Sequence, residues 1–414
     1  MTHNYDILIA GAGPAGCASA YDLAQAGRHV LLLDKRNFPR HKPCACGLTH
    51  KTLKALRYSV DPVIERVCHE IILEPPTEPN SRRARSTRVK TRNPICAMAV
   101  RERFDSFCLQ QTLLAVRQGG SIELRKIDRI AALRELPDFI ELDVFTSRGL
   151  ETLRAPILIG ADGSNGQTRR LLRHDSHGTQ LSPSAQDSAQ DSVQDSVQDD
   201  DGFALEATVP YTSLPATLPN GGDPHDLVFD FAPLPGGYGW LFPKADHINI
   251  GVGAFAPATG ASHAQIKQVT RALLLTYAQQ KLGVTTLAHI TGQQLGMGGH
   301  NYIPRGRVLL VGDAAGLVDP LTGEGIHSAI VSGQAAAAAI LSNSTNIAAA
   351  YARELAPLQA TLAFSHRAAR AFYAQPERGF KAMRLPFMRS LILKTYADGL
   401  PHTLLLTALA KLTT

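Results

Sequence analysis

Residues 6–16 constrain the fold more than any other stretch. Asp6-Ile7-Leu8-Ile9-Ala10 is followed directly by Gly11-Ala12-Gly13-Pro14-Ala15-Gly16. A short apolar run closed by glycine reads as a strand buried on both faces. A helical pattern then continues through Ala26 and stops at Gly27, and His29-Val30-Leu31-Leu32-Leu33 reads as a second buried strand. Strand, G-x-G-x-x-G turn, helix and strand in this order make a βαβ unit that binds a dinucleotide. Gly11 permits the tight turn, Gly13 lets a pyrophosphate approach the backbone, and Gly16 lets the helix pack close to the strand. The phosphates would rest on free N–H groups at the positive end of the helix, around Ala15. Asp34, with Lys35 beside it, ends the second strand 18 residues after Gly16, where a carboxylate can bind ribose hydroxyls.

Two more runs of the same kind occur at 156–160 and 307–312, far away in sequence. The dinucleotide domain is therefore expected to be discontinuous. Residues 203–254 alternate and carry several Pro and Gly, as antiparallel strands do. From Gly325 the pattern turns helical, over 326–341, then about 347–372, then a basic tail to 413; alanines 335–339 mark a closely packed helix. The expected class is α/β: a Rossmann-type domain, a β-sheet-rich substrate domain and C-terminal helices. The boundaries read 1–60 with 96–175 and 300–345 for the first, 61–95 with 203–299 for the second, and 346–414 for the C-terminal helices. Between them, 176–202 reads as a low-complexity loop. It contains AQDS-AQDS-VQDS-VQDD at 185–200, which has no usable core and is expected to be disordered or mobile.

Composition supports a folded chain. Of 414 residues, 44% are hydrophobic and 19% charged, enough for a large core. Lys plus Arg is 42 and Asp plus Glu 36, a balance of 42 − 36 = +6. That suits an anionic ligand or a membrane surface and is too small to imply nucleic acid. No run approaches the roughly 18 apolar residues of a membrane span, and the polar N-terminus does not read as a signal peptide. Six cysteines in a chain this long are not a disulfide framework. A cytoplasmic location is the expectation.

Three distant stretches narrow the cofactor: Val100-Arg101-Glu102-Arg103-Phe104-Asp105, Gly160-Ala161-Asp162-Gly163-Ser164, and Gly312-Asp313-Ala314-Ala315-Gly316 followed by Gly323-Glu324-Gly325-Ile326. In this order they resemble the para-hydroxybenzoate-hydroxylase-type FAD fold of the glutathione-reductase superfamily, which implies FAD. Asp313 at a strand end can accept hydrogen bonds from ribityl hydroxyls, or it is an ordinary helix N-cap. Arg101 can supply charge near the phosphate–ribityl chain, or it pairs with Asp105 or Glu102. Gly323 and Gly325 free the backbone to approach the flavin ring. The helix from Ile326 points its positive end at the pyrimidine edge, where reduced flavin is negative. Asp162-Gly163 reads as structural support, and Asn165-Gly166-Gln167-Thr168-Arg169 departs modestly from the usual continuation.

Two further stretches concern the reaction. Lys42-Pro43-Cys44-Ala45-Cys46-Gly47-Leu48 and Pro235-Gly236-Gly237-Tyr238-Gly239-Trp240-Leu241-Phe242-Pro243-Lys244 together resemble the geranylgeranyl reductase family. That family carries a Cys-Gly-Gly-type loop near the flavin and a Tyr-x-Trp-x-Phe-Pro motif. The second motif is intact and holds the chain's single tryptophan. In the first, Ala45 and Cys46 stand where glycines are usual. The resemblance implies reduction of isoprenoid double bonds, with hydride from flavin N5 to one carbon and a proton to the other. Cys44, Cys46, Tyr238 and Trp240 are the candidate catalytic residues, and Gly47 joins the cofactor set. Tyr238, Trp240 and Phe242 share one strand face, as an aromatic wall for an apolar chain or as sheet core. A thiol at 44 or 46 donates a proton, gates access through its redox state, or is a small hydrophobe.

A zinc site at Cys44 and Cys46 lacks a second Cys/His pair, so no metal is expected. His327 follows Gly323 and Gly325 and reads as a contact to solvent or substrate, or as a helix-surface residue. Arg82, Arg83, Arg85, Arg88, Lys90 and Arg92 form either a solvated basic face or a headgroup site. The tail, with Arg378, Lys381, Arg384, Arg389 and Lys394 among Phe, Met and Leu, either lies on a membrane or packs on the body. One dinucleotide fingerprint leaves the electron donor open: NADPH docking transiently, a ferredoxin, or another reduced carrier. The alternatives to an isoprenoid reductase are an aromatic-type FAD monooxygenase and a flavin-binding protein without turnover.

Overall fold

The computed structural model describes residues 5–76, 86–117, 119–175, 202–255, 267–385 and 397. The 185–200 repeat, Arg82, Arg83 and Arg85, and Arg389 and Lys394 of the tail lie outside the described residues. A five-stranded parallel sheet has the order Val308–Leu310, Ile157–Gly160, Ile7–Ala10, His29–Asp34, Ser121–Lys126. Its register sets Ile7 opposite both Ile157 and Val30. All four residues of the first strand are buried, and alternation sends them to two different cores. Ile7 and Ile9 pack with the helices Pro14–Gln25, Arg101–Leu113 and Ile326–Leu341. Leu8 and Ala10 pack against a three-stranded antiparallel meander, Arg129–Glu135, Ile140–Thr146 and Gly149–Ala155. Cover on both faces is why these strands read as solid apolar runs.

A second sheet has seven strands in the order Thr291–Leu295, Gly202–Pro210, His247–Ala254, Gly237–Pro243, Val228–Asp230, Glu70–Glu74, Thr87–Lys90. Its pairings are antiparallel except that between 228–230 and 70–74. Leu205, Leu241 and Ile250 face the helix Arg271–Leu282, where they meet Leu274 and Tyr277. Tyr238, Trp240 and Phe242 face the other way, into a cluster with Phe229, Phe255 and Met98. A small sheet of Gly47–Thr49, Cys96–Ala99 and Ile64–Cys68 contributes Cys68, Cys96 and Met98 to that cluster. Arg88 is paired with Glu70 and Asp226, so one member of the basic stretch is a structural cation.

The helices at 326–341 and 347–374 follow the expected bounds closely. Ala335, Ala336, Ala337 and Ala339 are buried. The first of these helices lies directly on helix 14–25: a Cβ at Gly333 would sit 2.3 Å from the Ala15 carbonyl oxygen. Ser19 Oγ bonds the Gly333 and Ala15 carbonyls, each at 3.0 Å. Among the described residues, no helix is long and apolar enough to cross a membrane. Gly333→Ala should therefore cost about 1–3 kcal/mol by forcing the two helices apart, read as a lower urea midpoint with an unchanged slope.

Candidate functional site

The carboxyl ends of the parallel strands open into a cavity of about 410 Å³ that runs from the glycine turn to the aromatic face of the second sheet. Gly11 has φ +106, and a Cβ there would lie 2.3 Å from the Ala161 carbonyl oxygen. A Cβ on Gly16 would lie 1.9 Å from the Gly11 oxygen. At Gly13 the nearest neighbour of such a Cβ is Arg40 Nη2 at 3.5 Å, so this side faces open space and positive charge. Gly13 caps helix 14–25 without a side-chain bond, which leaves N–H groups free for an anion. Ala15 is buried on the cavity wall and Lys35 is exposed on its rim. Asp34 accepts from the Ala12 and Arg36 N–H groups, both at 2.8 Å. It holds the glycine turn as well as lining the cavity.

Arg101 does pair with Asp105, in a bidentate contact of 2.8 and 2.9 Å, and both are buried. Arg40 shares the same carboxylate at 3.2 Å. Two guanidinium groups on one carboxylate leave a positive charge on the cavity wall, and Arg40 Nε is buried with no protein partner among the described residues. A buried, incompletely paired cation is costly unless an anion completes it. The pyrophosphate and ribityl chain of FAD would do so, and the glycine turn fits the same group. Arg40 was invisible to motif reading: one basic residue in a loop carries no signal. Arg40→Met should weaken FAD binding about 10- to 100-fold, from the loss of charged hydrogen bonds. The wild-type affinity should also depend more steeply on salt; both are measured by flavin fluorescence titration.

Asp313 also lines the cavity, in a helical turn, 312–315, just after strand 308–310. Gly323, Gly325 and Ile326 line the cavity, and Gly325 caps helix 326–341 with no side-chain bond. The turn before this helix is anchored from two directions. Glu324 pairs with Lys51 at 2.7 Å and accepts from Thr49 and Thr52 hydroxyls at 2.7 and 3.0 Å. Tyr238 donates its hydroxyl to the Thr322 carbonyl. His327 is half-buried beside Lys51 and Glu324, not a surface residue. Burial lowers its pKa to about 4, with Lys51 adding to the effect.

Cys44, Cys46 and Gly47 line the same cavity. Cys46 has φ 48, in the left-handed region. That is the physical reason glycine is usual there, and a side chain costs roughly 1 kcal/mol. Two buried groups hold this loop from the second sheet. Lys244 Nζ, 2% exposed at the residue level, donates to the Ala45 carbonyl at 2.6 Å and the Cys46 carbonyl at 3.4 Å. Glu206 accepts from the Cys44 N–H at 2.7 Å. Asn249 bonds Glu206 and also accepts from Trp240 Nε1 at 2.7 Å. Tyr238 and Trp240 thus spend their polar atoms on protein partners and present ring surface to the cavity. Asp162 accepts from Thr168 N–H and Oγ at 3.0 Å each and supports helix 167–175, as expected of a structural residue.

Burial, reinforced by Cys44, pushes the Glu206 carboxyl up to about 7. A hydrogen bond from Cys46 holds the Cys44 thiol well below the ordinary thiol range, with Arg101 adding to it. Burial drives Cys46 the opposite way, so Cys44 is the more acidic thiol of the two. Neither Glu206 nor Lys244 was singled out from sequence. Glu206 had a weak signal: it is an acid on an otherwise apolar strand, in phase with Ala204, which also lines the cavity.

The fold and site define an FAD-dependent oxidoreductase, and comparison with known proteins agrees. The FAD binding domain family matches residues 4–349. An uncharacterized protein of Methanosarcina barkeri is 30% identical over 82% of this chain and 75% of its own. A digeranylgeranylglycerophospholipid reductase of Methanosphaera stadtmanae is 27% identical over 80% and 76%. A geranylgeranyl bacteriochlorophyll reductase-like structure from Thermoplasma acidophilum superposes with a TM-score of 0.64 at 20% identity, covering 90% of this chain and 91% of that one. The chain belongs to the geranylgeranyl reductase family of FAD-dependent oxidoreductases.

Proposed function

We propose that this chain reduces C=C double bonds of an isoprenoid or similarly apolar chain. Bound FAD would supply hydride from its N5. The observation that carries this reading is continuity. The cavity that begins at the glycine turn is walled at its other end by Phe229, Tyr238, Trp240, Phe242 and Phe255. An unactivated alkene offers no polar handle, so shape and apolar contact must orient it. These rings interlock, with centroids 4.8–6.5 Å apart, and form a rigid surface for that purpose. The names of the reductase relatives point to the same substrate class.

Glu206 would supply the proton. It lies on the cavity wall beside the aromatic face, and a carboxyl with pKa about 7 is partly protonated at neutral pH. Asn249 and the Cys44 N–H hold its orientation. Only the protonated acid donates, so turnover should fall as pH rises through about 7. Glu206→Gln should remove this limb and lower turnover about 100-fold or more, while FAD stays bound. A pH limb unchanged in Glu206→Gln would assign the proton to another group. The test of the reaction is anaerobic: pre-reduced enzyme incubated with a geranylgeranyl lipid should yield product heavier by two hydrogens per reduced bond. Hydroxylated product formed only with oxygen would instead establish the monooxygenase reading.

A further inference from the structure

We propose that Cys44 and Cys46 form a dithiol–disulfide couple that exchanges an electron pair with the bound flavin. This inference rests on FAD binding and not on the identity of the final acceptor. Both residues line the cavity that Gly323 and Gly325 also line. They are separated by one residue, and the Cys46 N–H donates to Cys44 Sγ at 3.3 Å, which holds the Cys44 sulfur against the Cys46 backbone. Both thiols are free. Cys46 keeps a side chain at a left-handed φ where glycine would be unstrained. The loop spends conformational energy to place that second sulfur. It is locked there by Lys244 on the Ala45 and Cys46 carbonyls and by Glu206 on the Cys44 N–H. Arg101, also on the cavity wall, stabilises a Cys44 thiolate. The remaining cysteines, Cys17, Cys68, Cys96 and Cys108, are buried and do not line this cavity.

The step balances. The Sγ–Sγ bond forms between Cys44 and Cys46, and the Cys46 S–H bond breaks. The released electron pair and that proton pass to oxidised flavin. Starting from a Cys44 thiolate and a Cys46 thiol, oxidised flavin would leave as the reduced anion and the pair as a disulfide, with charge and hydrogen conserved. The reverse step reduces the disulfide.

Reductive titration of the FAD-loaded, pre-oxidised enzyme with dithionite, under anaerobic conditions, tests this. Wild type should take up four electrons per flavin and Cys46→Gly only two. The glycine suits the backbone at that position, so the variant should fold and bind FAD. Mass spectrometry after alkylation supplies a second readout: in oxidised wild type the peptide bearing both cysteines should resist alkylation and be lighter by two hydrogens, and both should alkylate after reduction. Two electrons per flavin in wild type, with both thiols alkylated in the oxidised enzyme, would overturn the proposal. Four electrons that persist in Cys46→Gly would overturn it too, by placing the second couple elsewhere. An enzyme that takes four electrons but reduces no isoprenoid keeps this couple and loses the reading of the substrate.

Discussion

The constraint on which the site depends is backbone against backbone at the carboxyl edge of the parallel sheet. Gly11 sits where a Cβ would strike the Ala161 carbonyl, and Gly16 where one would strike Gly11 itself. These two approaches bring the first strand, its helix and the 157–160 strand together with no side chain between them. The uncapped N-terminus of helix 14–25 is thereby left facing a cavity, with Arg40 and Arg101 on its wall. One carboxylate, Asp105, serves both cations. That imbalance suits the wall to an anion as much as the glycines do.

The second sheet is tied to this edge by buried polar contacts rather than by apolar packing alone. Lys244 reaches the carbonyls of the 45–46 loop, Glu206 takes the Cys44 N–H, and Tyr238 reaches Thr322 just before Gly323 and Gly325. Hydrogen bonds have fixed length and direction, which hydrophobic contact lacks. They set how the aromatic wall stands against the 44–47 and 322–325 loops. The same contacts place a carboxyl with raised pKa next to a thiol with lowered pKa, a pairing suited to moving protons and electrons in one small volume.

Much of the fold was legible because burial on both faces writes itself as unbroken apolar sequence. The strands near 7, 29, 157 and 308 and the helices near 326 and 347 lie where the pattern put them. The parity of Tyr238, Trp240 and Phe242 was equally plain, since a strand alternates whatever its neighbours are. The meander at 129–155 and the edge strand 121–126 were not read. Their outer faces carry Arg134, Glu141, Asp143 and Arg154, which pair across strands, and such half-polar strands resemble loops in one dimension. The 64–68 strand joins 96–99 and not the large sheet, a pairing between distant segments that no local pattern encodes.

By itself, the sequence determined the dinucleotide turn, the order of the cofactor motifs and the aromatic face, because each depends on residue type at short spacing. Only the tertiary structure decided which charges matter. Glu206 meets Cys44 across 162 positions of chain and Lys244 reaches Ala45 across 199. The chemistry of an acid, a lysine or a thiol depends on the water it loses and the partners it gains. Both quantities exist only once the chain has closed around them.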